Sequence, residues 1–395
     1  MENMLDFSKQ DFEEDKYDRL RLIPWWDQKK LSDAIIMVVG AGAIGNELIK
    51  DMALLGIGRI LVVDMDRIEN TNLTRSVLFR SSDIGAFKAQ VAASNAMTIN
   101  TDIKAKAFVA NVIDDIGLGV FRRVNVVLGA LDNREARLAI NQACYRVNRP
   151  WIDGAIEVLN GIARVFVPPD GVCYECTMTE LDWKLINQRK SCALISKTEV
   201  IEGKIPTTPT SASIIAGIQV QEMLKLLHAD RGLPGLAGKG YIFNGLTHDS
   251  YLVEYQLKND CMSHETYDQI IENPWSAKTT TLAEVIHTVK KDLGSSAVVD
   301  FDRNIVTALE CTCGYGRSFY VPLHSLRATD LICPECGAAM KYNTIHGIVG
   351  DEGFLDMFPY EIGIPLLHIV TGRLGAVERH YEFSNDYDEV FDSLN

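Results

Sequence analysis

The sequence contains no run of 18 apolar residues, so no membrane-spanning helix is expected. Its N-terminus, Met1-Glu-Asn-Met-Leu-Asp6, has neither a basic segment nor a long apolar stretch. No secretory leader is therefore expected, and a cytoplasmic location is. Positive charge is scarce: 39 Lys and Arg stand against 53 Asp and Glu, a net charge of −14. That excess disfavours nucleic acid and anionic membrane as general partners, although a local basic patch can still hold an acidic ligand. Without a secretion signal, the nine cysteines, which include two C-x-x-C pairs and one C-x-C, point to metal sites and a reactive thiol rather than disulfides. Core material is plentiful, since 395 residues at 47% hydrophobic are ordinary for a globular chain of two or three domains.

The chain is organised around residues 34–75. Ala34-Ile-Ile-Met-Val-Val-Gly40 reads as a buried strand, running into Gly40-Ala-Gly-Ala-Ile-Gly45 and then a helical pattern through Glu47, Leu48 and Leu55. In strand–turn–helix context, Gly40 allows the tight turn, Gly42 the approach of a phosphate, and Gly45 close packing of helix on strand. The helix N-terminus offers N–H groups and a positive dipole end to that phosphate. A second strand, Ile60–Val63, ends in Asp64, where a ribose-binding carboxylate is expected. A glycine-rich turn in an ordinary α/β domain is the bland alternative. The next loop, Asp64-Met-Asp66-Arg-Ile-Glu-Asn-Thr-Asn72-Leu-Thr-Arg75, with Gly85-Ala-Phe-Lys88, argues against it. Asn72, Arg75 and Lys88 suit a triphosphate rather than the diphosphate bridge of a dehydrogenase cofactor.

This stretch resembles the adenylation domain of the ubiquitin-activating enzyme superfamily, which includes the molybdopterin- and thiamine-biosynthesis adenylyltransferases. The shared pattern is D-x-D-x-x-x-x-x-N-L-x-R, and the resemblance covers about residues 15–265. It implies ATP and Mg²⁺ as cofactors. It also implies that Arg19, in Tyr17-Asp-Arg19-Leu-Arg21, reaches the ATP phosphates of a partner subunit in a homodimer, with Arg21 as the fallback.

A fourth apolar strand, Val124–Leu128, leads to Gly129-Ala-Leu-Asp132-Asn133 at its C-terminal end, where open α/β sheets put their ligands. Asp132 there suits Mg²⁺. Leu131 replaces the threonine of the family's Thr-Asp-Asn motif, and a helix N-cap at 132 or 133 is the competing role. Cys173-x-x-Cys176 pairs with Cys261-x-x-His264, where the family often has a second C-x-x-C; three thiolates and an imidazole satisfy a closed zinc site. Between them lies Cys192, which by the resemblance matches a thioester-forming cysteine in the crossover segment, ahead of a Pro206-Thr-Thr turn and a helix over 213–227. Nearby Lys190 would raise its thiolate fraction. A buried or incidental thiol is the alternative, and the insert 195–205 departs from the shortest family members.

The domain layout expected is an N-terminal helical arm (1–32), an adenylation domain (33–265) with a crossover segment (177–212), a linker (266–277) and a C-terminal domain (278–395). The fold class is α/β: a Rossmann-like mixed sheet, plus a small C-terminal α+β domain with a zinc-ribbon-like insert. In that insert Cys311-x-Cys313 and Cys333-x-x-Cys336 are spaced as two knuckles of one zinc site, with a redox dithiol as runner-up. The end, with Asp386, Asp388, Glu389 and Asp392, reads as an acidic tail.

By this resemblance the chain is an activating enzyme of a prokaryotic, bacterial type. It would adenylate the C-terminal glycine of a ubiquitin-like protein, form a thioester on Cys192 and pass the acyl group to a conjugating enzyme. The alternative is adenylation of a sulfur-carrier protein for molybdopterin or thiamine biosynthesis, with no thioester. A nucleotide-binding scaffold without activity is the third reading.

Overall fold

The computed structural model describes residues 15–184, 186 and 206–394. Cys192, Lys190 and the insert 195–205 lie outside the described residues. Two short helices, α1 (Asp18–Arg21) and α2 (Gln28–Asp33), lead into β1 (Ile35–Val39). Then follow α3 (Ala43–Leu55), β2 (Arg59–Val63), α4 (Lys88–Ile99), β3 (Lys104–Phe108), α5 (Leu118–Arg123), β4 (Val126–Gly129) and α6 (Arg134–Arg146). β5 (Trp151–Glu157), β6 (Asn160–Phe166), α7 (Tyr174–Thr177), α8 (Pro209–Leu227), β7 (Lys239–Asn244) and β8 (Asp249–Glu254) complete the first unit. Its eight strands run in the order β3-β2-β1-β4-β5-β6-β7-β8. The pairings from β3 to β5 are parallel, and those from β5 to β8 antiparallel.

The apolar run of β1 serves two cores at once, as a strand of a two-sided parallel sheet must. Ile36 and Val38 enter one core with Leu48, Met52, Ile215 and Met223, under α3, α4 and α8. Met37 and Val39 enter the other, with Phe121, Ile140 and Trp151, beside α5 and α6.

The second unit is built on β9 (Ile270–Asn273), α9 (Leu282–Leu293), β10 (Val298–Glu310), β11 (Gly316–Pro322), β12 (Lys341–Ile348), β13 (Ile369–Leu374), β14 (Val377–Phe383) and α10 (Tyr387–Phe391). Its sheet order is β11-β10-β13-β14-β9, with β12 also pairing β10. The molecule is thus a mixed α/β Rossmann-like core with a C-terminal α+β unit, and no helix among the described residues is long and apolar enough to cross a membrane.

Three features differ from the sequence reading. Residues 270–273, inside the expected linker, form β9, a parallel edge strand on β14. The helix expected from 213 begins at Pro209, because the Thr208 hydroxyl accepts from Ser211 N and Pro209 fits the first turn. The expected acidic tail is partly core: Asp386 is 2% exposed, and its carboxylate accepts from Ala277 N and Leu367 N, each at 3.0 Å.

The C-terminal unit packs on the second face of the first sheet. Leu367, Ile369, Val390, Phe391 and Leu394 join the core that holds Met37 and Val39. The buried Glu382 pairs with Arg122, at 3.0 Å, and with Arg123. Lys106 donates to the carbonyls of Glu389 and Val390 at 2.9 and 2.7 Å.

Candidate functional site

The strand order changes direction at β1, with β2 on one side and β4 on the other, so the loops after β1 and β4 open a crevice at their carboxyl ends. The glycine turn lies in that crevice. Gly40 has φ +93, and a Cβ there would lie 2.4 Å from Ala130 O, in the loop after β4. A Cβ on Gly45 would lie 1.9 Å from Gly40 O, so the helix sits directly on the turn. A Cβ on Gly42 would meet nothing within 4 Å, which leaves open space over the backbone at the start of α3. That is the space an anion needs at a helix N-terminus.

Asp64 directly follows β2 and contacts this turn. One of its oxygens accepts from Ala41 N at 2.7 Å and the other from Asp66 N at 2.8 Å. Burial raises its carboxyl above the ordinary value, with Ala41 N–H and Lys88 working against that. Lys88, at the start of α4, pairs with Asp66 at 2.8 Å. Arg75 donates to Thr71 O at 2.8 Å, and Asn72 caps its own turn by accepting from Glu69 N at 2.8 Å.

One residue that organises this wall was not singled out from the sequence. Asn46 is fully buried; its amide donates to Ala41 O (2.7 Å) and Gly42 O (3.0 Å) and accepts from Leu78 N (2.9 Å). It therefore ties the segment after Arg75 to the glycine turn. The available signal was a lone amide on a helix face otherwise made of Ile49, Met52 and Ala53.

Asp132 is exposed after β4. The helix cap falls to Asn133, whose side chain accepts from Ala136 N at 2.8 Å. The Asp132 carboxylate, contacted by Asn133 Nδ2 at 3.3 Å, is thus not spent on capping α6. The glycine turn, Asp64, Asp66 and Lys88 are thus linked by direct contacts, and Asp132 follows two residues after Ala130, whose carbonyl lies against Gly40. A hard cation with phosphate ligands takes one or two carboxylates, and Asp132 can supply one.

Arg19 is elsewhere. Tyr17 packs against Gly56, past the far end of α3, and its hydroxyl accepts from Asn100 Nδ2 at 2.7 Å. The 13 residues of α3 span about 20 Å, so exposed Arg19 stands roughly that far from its own chain's glycine turn.

Two cysteine clusters form. Cys173, Cys176, Cys261 and His264 bring their ligand atoms within 4.8 Å of one another. The Cys173–Cys261 sulfurs are 3.4 Å apart and Cys176 Sγ lies 3.3 Å from His264 Nε2. Tetrahedral zinc at ordinary bond lengths separates its sulfurs by roughly 3.7 Å, so this donor set fits the ion. The His264 ring stacks on Tyr145 of α6 at 5.3 Å. Cys311, Cys313, Cys333 and Cys336 gather equally closely, with sulfur pairs at 3.4 and 3.7 Å.

Comparison with known proteins places this geometry in a family. The chain is 33% identical over 170 residues to the sulfur carrier protein adenylyltransferase of Thermus thermophilus, a match covering 41% of this chain and 63% of that protein. It thus spans less than two thirds of that relative. It is 32% identical over 234 residues to the SAMP-activating enzyme E1 of Haloferax volcanii, covering 59% of this chain and 81% of that one. The crystal structure of E. coli MccB with ATP shares the fold, with a TM-score of 0.54, 23% identity, and coverage of 64% of this chain and 75% of MccB. The ThiF family model matches residues 15–263, well over half of the sequence, and the chain belongs to the ThiF family.

Proposed function

We propose that this ThiF-family chain is an ATP-dependent adenylyltransferase that activates the C-terminal carboxylate of a small carrier protein. The supporting observation is the convergence, at the β1/β4 switch point, of an open glycine turn, a ribose-type carboxylate, a lysine and an uncapped aspartate. In this reading Gly40, Gly42 and Gly45 admit the phosphates, and Asp64 accepts from the ribose. Asn72, Arg75 and Lys88 face the phosphate charge, Lys88 exchanging Asp66 for a phosphate oxygen. Asp132 would hold Mg²⁺, which supplies further neutralisation of phosphate charge.

The carrier's carboxylate oxygen attacks the α-phosphorus, the bond to the bridging oxygen breaks, and pyrophosphate leaves with that electron pair. No general base is required, because a carboxylate is already ionised at pH 7. Both cysteine clusters are read as structural zinc sites.

Of the two fates for the acyl-adenylate, sulfur transfer is put first, because a sulfur carrier protein adenylyltransferase is a relative at 33% identity. The second is thioester formation on Cys192 and hand-over of a ubiquitin-like protein to a conjugating enzyme; the likeness to an activating enzyme E1 favours it. ATP–pyrophosphate exchange with candidate carrier proteins from the genomic neighbourhood tests the activity, and its absence with every carrier overturns it. Non-reducing gels separate the fates. Exchange unchanged in Cys192→Ala, with no thiol-sensitive adduct, supports sulfur transfer. An adduct lost in Cys192→Ala supports the E1 reading.

A further inference from the structure

Arg137 lies in α6, five residues beyond Asp132 and 7% exposed. Its Nε donates to Asp153 Oδ1 at 2.8 Å. Its Nη2 donates to the carbonyl of Leu131 and, at 3.4 Å, to that of Gly154. The Leu131 carbonyl belongs to the peptide that joins residues 131 and 132, so the guanidinium fixes the peptide plane from which Asp132 departs. Asp153, on β5, has no exposed surface, and its other oxygen is taken by Arg164 of β6, at 3.0 Å from Nε and 2.5 Å from Nη2. The Arg164 guanidinium in turn lies 5.0 Å from the ring centroid of Tyr174, between Cys173 and Cys176.

Two arginines and one carboxylate share this interior. Burial alone would raise the Asp153 carboxyl, yet Arg137 and Arg164 hold it below its ordinary value, so the pairs are charged. A buried cluster of charges often contributes no more stability than well-packed apolar side chains would. It does supply direction, since a guanidinium is a planar fork that meets a carboxylate and a carbonyl at fixed angles. Here one arm of the fork is spent beside Asp132.

We propose that Arg137 is a positioning residue for adenylation, held by Asp153 and Arg164, which fixes the 131–132 peptide so that the Asp132 carboxylate is presented to the cation on the phosphates. This rests on the reading of Asp132 as the Mg²⁺ carboxylate. Groups that orient a metal ligand are worth roughly 10–100-fold in metal affinity or activity.

Calorimetric titration of the full chain with ATP, with and without Mg²⁺, tests the proposal. Mg²⁺ should tighten ATP binding by wild-type protein, and Asp132→Ala should abolish that increment. Arg137→Gln should lose roughly 10-fold or more of it while Mg²⁺-free ATP affinity is retained. If Arg137→Gln does not fold, Arg137→Lys carries the test: it keeps a cation against Asp153 but lacks the fork, and should lose the same increment. Retention of the full Mg²⁺ increment in the variants overturns the proposal, as does equal weakening of Mg²⁺-free and Mg²⁺-bound ATP. Both results leave the reading of the site standing. Wild-type protein that binds no ATP in either condition overturns that reading and the proposal with it.

Discussion

A single methyl group has opposite consequences at two glycines of the turn. On Gly45 it would lie 1.9 Å from Gly40 O, a backbone atom that cannot step aside. Gly45→Ala should therefore cost about 1–3 kcal/mol of stability, read as a lower denaturant midpoint. On Gly42 the methyl meets nothing within 4 Å. Gly42→Ala should leave the midpoint unchanged yet weaken ATP binding, because it fills the open space at the helix N-terminus where the proposed function puts a phosphate. An unchanged ATP affinity in Gly42→Ala would place the phosphates elsewhere. These glycines were legible in the sequence, since their spacing between an apolar run and a helical pattern has few other uses. Asp64, Asn72, Arg75 and Asp132 were legible as residue types in the segments that follow β2 and β4, and Lys88 as the residue that opens α4. Asn46 and Arg137 were not. Both act on backbone carbonyls inside the fold, and neither hydrogen bond leaves a mark in spacing or composition.

The same contrast holds for elements. β1, α3 and β2 could be read directly, because a strand buried on both faces is a continuous apolar run and α3 an apolar-faced helix. β9 could not. Its four residues precede Pro274, and its partner β14 lies more than 100 residues further on in the chain. Nor could the continuity of β10, which runs as one strand through Asp302-Arg303-Asn304. Asp302 takes φ +59, and the register of the β10–β12 pair shifts between Asp300 and Ile305. The cysteine knuckles were fully legible, because ligand spacing is a covalent property of the chain.

The knuckles also differ in what depends on them. The Cys173 cluster is set into the core beside α6, with Cys173 and Tyr174 packed near Trp151. The Cys311 cluster sits on a small separate core of Val306, Leu309, Cys333 and Met340. Metal analysis of purified protein should give about two zinc ions per chain, and Cys333→Ser about one. Cys333→Ser should leave ATP binding intact, whereas Cys173→Ser should lower the melting temperature of the whole chain. Equal losses in both variants would count against the separation of the two cores.

At the scale of the whole molecule, the junction between the units should make stability acid-sensitive. His368 is fully buried there, its Nδ1 accepting from Leu118 N at 3.4 Å and its Nε2 donating to Asp302 Oδ1 at 3.3 Å. Burial pushes its pKa down, against the pull of Asp302, and a proton on Nδ1 would face the Leu118 N–H. A histidine whose folded pKa is depressed favours folding fully above about pH 6.5 and loses that contribution as pH falls towards the folded value. The melting temperature should thus fall between pH 7.5 and 5. It should fall less steeply in His368→Gln, whose amide can both accept and donate; a residual slope is expected from His380, also pushed down by burial. An unaltered slope would remove His368 from the account.

The position of Arg19 carries the last prediction. It stands about 20 Å from its own glycine turn, at the far end of α3. If Arg19 contacts phosphates, as the family resemblance implies, it does so in a second copy of the chain, and the active species is then a homodimer of twice 43.9 kDa by light scattering. Arg19→Ala and Asp132→Ala should each be inactive alone. When mixed and allowed to exchange subunits, half of the dimers are mixed. Each mixed dimer has one site with both changes and one with neither, so about a quarter of wild-type activity should return. A fully active monomer, or no recovery on mixing, would remove Arg19 from the site and leave the catalytic crevice within one chain.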